Sequence, residues 1–284
     1  MKQEPNFGDL PQEYRVYDRA KIVILPAPFD GTSTWLKGAD KGPDAIIEAS
    51  ANMELYDIET DSEVYRQGIF TDAPIKENSS PEKMIVAVKL KVAGHIENNK
   101  FVVLLGGEHS VSIGAIQAHA EHYEDLSVLQ LDAHADLRPE YNGSKYNHAC
   151  VMARTKELCP IVQVGVRSMD SSEKERMDES RVFFAERLGH QADWIEKVIS
   201  RLSQNVYVTV DLDVFDPSIM SSTGTPEPGG LLWYDVLRLL KTVCMMRHIV
   251  GFDVTELSPD ERNKAPDFLA AKLIYTLLSY RFLH

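Results

Sequence analysis

The sequence predicts an α/β protein, a three-layer α/β/α sandwich with helices on both faces of a mainly parallel central sheet. Two observations carry this. Short β-branched apolar runs recur along the chain and stop abruptly at polar residues, as buried parallel strands do. The segments between them have the length and capping signals of helices, so strand and helix alternate. No Pro/Gly/Ser-rich linker, internal repeat or low-complexity tract divides the 284 residues, of which 44% are hydrophobic. A chain of this size can bury a large core, and one domain over residues 1–284 is expected. The first 20 residues are polar and lack the apolar stretch of a signal peptide; they are expected to form an amino-terminal arm between subunits.

Taken in order, strands are expected at Lys21–Leu25, Phe101–Leu105, Leu126–Leu131, Ile161–Val166, Val206–Val210 and Ile249–Val254. A helix should open at Ser80-Pro81 and run to about His95, with Ser as the cap and Pro in the first turn. Further helices are expected over Ser112–His122, Asp193–Leu202, Tyr234–Met246 and Pro266–Tyr280. The polar stretch Asp61–Ser80 reads as a surface loop.

Four of these strands run into acid or histidine. Phe101–Leu105 leads to Gly106-Gly107-Glu108-His109-Ser110, and Leu126–Leu131 to Asp132-Ala133-His134-Ala135-Asp136. Val206–Val210 leads to Asp211-Leu212-Asp213, and Ile249–Val254 passes through Thr255 to Glu256. Ligands and chemistry collect at the carboxyl ends of the strands in open α/β sheets. Side chains two apart on extended backbone point the same way, so Asp132, His134 and Asp136 can converge, as can Asp211 and Asp213. One such pair is usually a helix cap or a solvated loop. Gathering His109, Asp132, His134, Asp136, Asp211, Asp213 and Glu256 without a cation would be severely unfavourable, and metal binding is the simplest compensation. Two imidazoles and four carboxylates with no thiolate suit a hard-to-borderline ion such as Mn²⁺ better than a thiolate-selected zinc.

The Gly-Gly-Glu-His-Ser, Asp-Ala-His-Ala-Asp and Val-Asp-Leu-Asp-Val-Phe-Asp-Pro segments resemble the three signatures of the ureohydrolases, the family of arginase and agmatinase. The resemblance extends to Gly38–Ile46, His148-Ala149-Cys150, Thr223–Gly230 and Thr255–Pro259, in consistent order over about residues 22 to 279. It implies a single ureohydrolase domain of the arginase/deacetylase-like fold holding two Mn²⁺ per chain. One metal would take His109, Asp132, Asp136 and Asp211, the other Asp132, His134, Asp211 and Asp213, with Asp132 and Asp211 bridging. Glu256 would hold a guanidinium by charge-assisted hydrogen bonds, Asp136 would orient the nucleophile, and His148 would pass a proton to the leaving amine. Thr209, Ser221 and Ser222 depart from the family's usual Ser, Pro and Gly. None is a ligand position, so they bear on loop geometry.

The segment Leu137–Asn147 resembles agmatinases, which makes agmatine, yielding putrescine and urea, the first expected substrate. Aminopropylagmatine, guanidinobutyrate and arginine are alternatives within the class, and Glu140 is a candidate to meet a distal amine. A one-zinc amine deacetylase of the same fold and a non-catalytic polyamine-sensing relative are the readings outside it.

The formal net charge of −13 excludes phosphate neutralisation as a basis for nucleic-acid binding and is compatible with a small cationic guanidino substrate. No run approaches the roughly 18 apolar residues of a membrane span. Three cysteines without C-x-x-C spacing argue for a reducing compartment, so cytoplasmic location is expected. The family implies a homo-oligomer, trimer or hexamer. Cys150 reads as a small apolar space-filler, and His95, His119, His122, His190, His248 and His284 as structural, with no acidic strand-end neighbours near His95, His190, His248 or His284.

Overall fold

The computed structural model of the chain describes residues 5–282; His284 lies outside them. Eight parallel strands form one sheet: β1 (Ile22–Ala27), β2 (Ile69–Thr71), β3 (Phe101–Gly106), β4 (Leu126–Leu131), β5 (Ile161–Val164), β6 (Val182–Phe183), β7 (Asn205–Asp211) and β8 (His248–Thr255). Their spatial order is β2-β1-β3-β8-β7-β4-β5-β6. The four strands singled out for their polar ends, β3, β8, β7 and β4, are therefore consecutive neighbours at the centre of the sheet. At about 4.8 Å between strands, their ends lie within reach of one another's side chains.

The helices are α1 (Gly42–Ser50), α2 (Pro81–Glu97), α3 (Ser112–His122), α4 (Val151–Thr155), α5 (Ala185–Leu188), α6 (Trp194–Arg201), α7 (Trp233–Met246) and α8 (Ala265–Phe282). Alternate strand residues feed two apolar layers. Ile24, Val103, Val208 and Phe252 pack with Ile46, Val198, Leu239 and Leu277 from α1, α6, α7 and α8. Leu25, Leu104, Val128 and Val250 pack with Val88, Ile116 and Met152 from α2, α3 and α4. The expected three layers are thus present. The Ser80 side chain accepts from Lys83 N–H, and Pro81 opens α2 as its spacing predicts.

Three expectations are corrected. Asp61–Ser80 is not simply a surface loop: it contains edge strand β2, which pairs with β1, and Val64, Ile69 and Ile75 are buried. A three-residue strand is too short to produce a readable pattern. Residues 5–20 do not project as an arm. Phe7 and Leu10 are core residues, and the main chain at Phe7 and Gly8 donates to Thr71 Oγ1 and Ser50 Oγ. His95 does have an acidic neighbour at a strand end, because Asp72, just past β2, lies 3.0 Å from its Nε2 while Tyr17 engages Nδ1.

At the end of β3 the chain passes so close to the loop after β1 that a Cβ on Gly107 would sit 2.1 Å from the Phe29 carbonyl oxygen. Only glycine fits there. The approach lets Glu108 N–H bond to Phe29 O and fixes the residues that follow, which include His109.

Candidate metal centre

The groups at the four central strand ends converge. His109 begins the single turn that joins β3 to α3, and its N–H donates to Glu256 Oε1 at 2.7 Å. Glu256 and Asp136 both hold left-handed backbone, with φ of 67° and 51°. That conformation is costly for a residue with a Cβ and persists where surrounding contacts enforce it.

His109 Nδ1 lies 3.0 Å from Asp136, 3.2 Å from Asp132 and 3.5 Å from Asp211 carboxylate oxygens. His134 Nδ1 lies 2.9 Å from Asp213 and 3.5 Å from Asp132. Two overlapping sets result, His109–Asp132–Asp211 and Asp132–His134–Asp213, each with donor atoms within 4.8 Å of one another. Asp132 belongs to both, as expected of a bridge. Asp211 falls in the first set alone, and one of its oxygens accepts from Asp213 N–H at 2.9 Å. Asp136 falls in neither, although it touches His109.

The donor set fits a pair of divalent cations. Among the described residues no Lys or Arg is ion-paired to Asp132, Asp136, Asp211 or Asp213; their charged partners are the two histidines. Burial opposes charge on His109, yet Asp132 and Asp136 outweigh it and hold its pKa well above the usual imidazole range. Burial likewise opposes charge on His134, and Asp213 and Asp132 again prevail. Burial and then the charge of Asp132 push Asp136 up to about 7. Burial also raises Asp211, with Asp213 next in effect, and Glu256, with Glu108 next. Asp132 alone moves down, its burial outweighed by hydrogen bonds from the histidines. Asp136, Asp211 and Glu256 hold their protons more tightly than usual because too little positive charge surrounds them, which is the condition that bound divalent ions relieve.

A second layer of buried polar groups, not identified from the sequence, orients the first. Thr209 Oγ1 accepts from His109 Nε2 at 2.8 Å and donates to Asp253 Oδ1 at 2.7 Å; Tyr207 holds the other Asp253 oxygen. His109 is thereby set with Nδ1 toward the carboxylates, the usual arrangement for a ligating imidazole. Thr209 therefore supports the metal centre directly and is not merely a loop variation. Gln163 donates to Gln130, which donates to Asp132 Oδ2. Arg167 spreads its guanidinium over the carbonyls of Gly165, Asp213, Val214, Phe215, Glu227 and Pro228, tying the Asp211-Leu212-Asp213 turn to the Thr223–Gly230 loop. Asp253 carried one signal, a carboxylate inside the apolar run Ile249–Val254. Arg167 and Gln163 carried none.

The cluster floors a cavity of about 320 Å³ lined by His148, Tyr141, Trp35, Arg138 and Asp170 among others. Asn142 and Gly143 take left-handed backbone in a tight turn closed by Tyr141 and Ser144. The turn brings Tyr141 edge-on to His148, with Arg138 over its ring at 4.4 Å. His148 Nδ1 meets Thr32 Oγ1, and burial with the charges of His134 and His109 pushes its pKa down to about 4. Glu140 does not line the cavity; Asp170 and Glu173 do, and Glu173 is buried with its oxygens accepting from Leu137 and Asp170 N–H. Burial pushes the Cys150 thiol up to about 11, in keeping with a space-filling role. Among the described residues, no helix is long and apolar enough to cross a membrane.

Comparison with known proteins agrees with this geometry. A sequence model of the Arginase family matches residues 20–279. An N(1)-aminopropylagmatine ureohydrolase of Synechocystis sp. is 37% identical over 93% of this chain and 90% of its own length. An agmatinase of Pyrococcus horikoshii is 34% identical, covering 91% of each. The crystal structure of the agmatine ureohydrolase of Thermoplasma volcanium superimposes with a TM-score of 0.87 at 35% identity, over 95% of this chain and 92% of that one. The two overlapping His/Asp sets are what a family of binuclear metal enzymes requires, and with a match over nearly its whole length the chain belongs to the arginase family and is a ureohydrolase, a hydrolase of C–N bonds.

Proposed function

We propose that the protein releases urea from an unbranched guanidino-amine, N(1)-aminopropylagmatine ahead of agmatine, with two Mn²⁺ held by His109, Asp132, His134, Asp136, Asp211 and Asp213. The observation that carries this reading is the charge of the cavity. With Asp132, Asp136, Asp211 and Asp213 answered by the two dications, Asp170, Glu173 and Glu256 still line it, against one arginine that lies over Tyr141 and within 4 Å of Asp170 and Glu173. Such a cavity selects a cation at both ends of the substrate and offers no free guanidinium to the carboxylate of arginine. Agmatine comes first on sequence grounds. The relative named for the aminopropyl derivative is more similar than the agmatinase, and the half-exposed Asp170 carboxylate in the lining offers a partner to a second ammonium, which favours the longer substrate.

The chain's own groups divide the work. Glu256 gives one oxygen to His109 N–H, while Oε2, beside Gly224 in the cavity lining, is left for the guanidinium. That charge-assisted bond fixes the approach of the carbon to be attacked. Asp136 orients the nucleophile, and His148 delivers a proton to the departing amine. The divalent pair would lower the pKa of bound water and so supply a strong nucleophile near neutral pH. The products of such a reaction, urea and a polyamine, place the enzyme in polyamine formation.

Urea release by manganese-loaded protein over a panel of guanidino compounds tests the reading. The expected order of kcat/KM is N(1)-aminopropylagmatine, agmatine, then guanidinobutyrate and arginine. Arginine ahead of both amines would overturn the substrate class, and full urea release with one tightly bound zinc per chain would refute the two-metal assignment.

A further inference from the structure

The loop after β1 carries a hydroxyl that sits between two groups of the site. Thr32 Oγ1 donates to the wholly buried Glu108 Oε2, and the Ser110 hydroxyl donates to the other Glu108 oxygen. A hydroxyl has one proton, so Thr32 Oγ1 is an acceptor in its remaining contacts. These are the His148 main-chain N–H at 3.0 Å and His148 Nδ1, also at 3.0 Å. The ring nitrogen facing Thr32 must then carry the hydrogen. His148 Nε2 makes no hydrogen bond among the described residues and keeps its lone pair for the cavity that the ring lines.

We propose that Thr32 is the positioning residue of His148. By accepting both its main-chain N–H and its Nδ1–H, the hydroxyl fixes ring orientation and tautomer together, so that Nε2 is the proton-carrying atom in the reaction. Nε2 takes a proton released from water and passes it to the amine nitrogen as the C–N bond breaks, returning the ring to its neutral Nδ1–H form. Glu108 orients the relay from below by consuming the Thr32 proton. The proton-transfer step rests on the function proposed above; the tautomer does not.

Thr32→Val keeps the branched shape and removes the hydroxyl. Its kcat should fall roughly 10- to 100-fold, at or below the lower end of what a positioned acid or base contributes, with KM changed less than about threefold and metal content retained. Thr32→Ser should recover kcat to within about threefold of the parent, since it restores the same acceptor. In a His148→Ala background, Thr32→Val should add almost nothing, because its effect passes through the ring. Independently of substrate, ¹⁵N-histidine spectra of the protein loaded with diamagnetic Zn²⁺ should show His148 with Nδ1 protonated and Nε2 bare. A parent spectrum with the opposite tautomer, or an undiminished Thr32→Val effect in the His148→Ala background, overturns the proposal. Should no guanidino compound yield urea, the functional reading fails and the spectrum alone decides the role of Thr32.

Discussion

Thr209→Val is the sharpest test of how the metal centre is held. The hydroxyl sits 2.8 Å from His109 Nε2 and 2.7 Å from Asp253 Oδ1, and all three residues are buried. Valine fills nearly the same volume, so no cavity term enters; what is lost is a donor for Asp253 and an acceptor for His109. Orphaning a buried polar group costs roughly 1–3 kcal/mol. Two are orphaned here, but Asp253 keeps Tyr207 on its other oxygen. The expected loss is therefore about 2–4 kcal/mol in the metal-free protein, read from chemical denaturation. A histidine freed to rotate is also a poorer ligand, and losing such a partner typically lowers metal affinity about 10- to 100-fold. Thr209→Ser retains the hydroxyl and should recover most of both quantities. A Thr209→Val protein within about 0.5 kcal/mol of the parent, the range of an inconsequential surface change, with metal affinity also unchanged, would refute the reasoning.

Other expectations follow from the same geometry. Glu256→Gln keeps an acceptor for His109 N–H but removes the charge facing the guanidinium, so it should retain both metals and lose about 30- to 1000-fold in kcat/KM; loss of metal instead would show Glu256 to be a ligand. Asp132→Asn should lower metal content more than Asp213→Asn, because Asp132 enters both ligand sets and Asp213 only one; equal losses by elemental analysis would contradict a bridging Asp132. In the metal-free protein the folded pKa of Asp136 is raised to about 7, so its contribution to stability is fully present below its unfolded value of about 4 and is lost as pH rises through 7. Added Mn²⁺ replaces those protons and should raise Tm more at pH 7.5 than at pH 5.5, and the reverse order in a thermal scan would be inconsistent with proton displacement.

Much of the site was legible because its chemistry is written at the ends of long, uniformly apolar strands. Phe101–Leu105, Leu126–Leu131, Val206–Val210 and Ile249–Val254 announce themselves by composition, and acid or histidine lies within three residues of the end of each. What pattern could not supply was adjacency. That β3, β8, β7 and β4 lie side by side follows from the crossover connections, and only that order turns four separate polar ends into one cluster. Strands β2 and β6 escaped notice because two or three residues at a sheet edge have no period to detect, and α4 and α5 are similarly brief. The packing of residues 5–20 escaped for another reason: Phe7 and Leu10 are isolated apolar residues in a polar stretch, and their burial depends on β2 and α1 being where they are.

The residues that escaped notice share a property. Thr32, Gln130, Gln163 and Arg167 are ordinary polar residues whose roles come from what they face, and none can be inferred from its sequence neighbours; Thr209 stood out only as a departure from the family's usual Ser, and its role too comes from what it faces. Asp253 was visible in principle, since a carboxylate within Ile249–Val254 has to be answered by donors, and Tyr207 and Thr209 on the adjacent strand answer it. The same reasoning explains how the centre would select cations. Parallel strands place main-chain N–H groups just beyond their ends, and Asp132, Asp211 and Asp213 each spend an oxygen on one. Those bonds fix the carboxylates without neutralising them, so the cluster stays rigid and electron-rich at once. On the function proposed above, such a cluster would bind divalent ions without reorganising, and the oxygen of Glu256 that no backbone group has claimed would be left to receive a guanidinium.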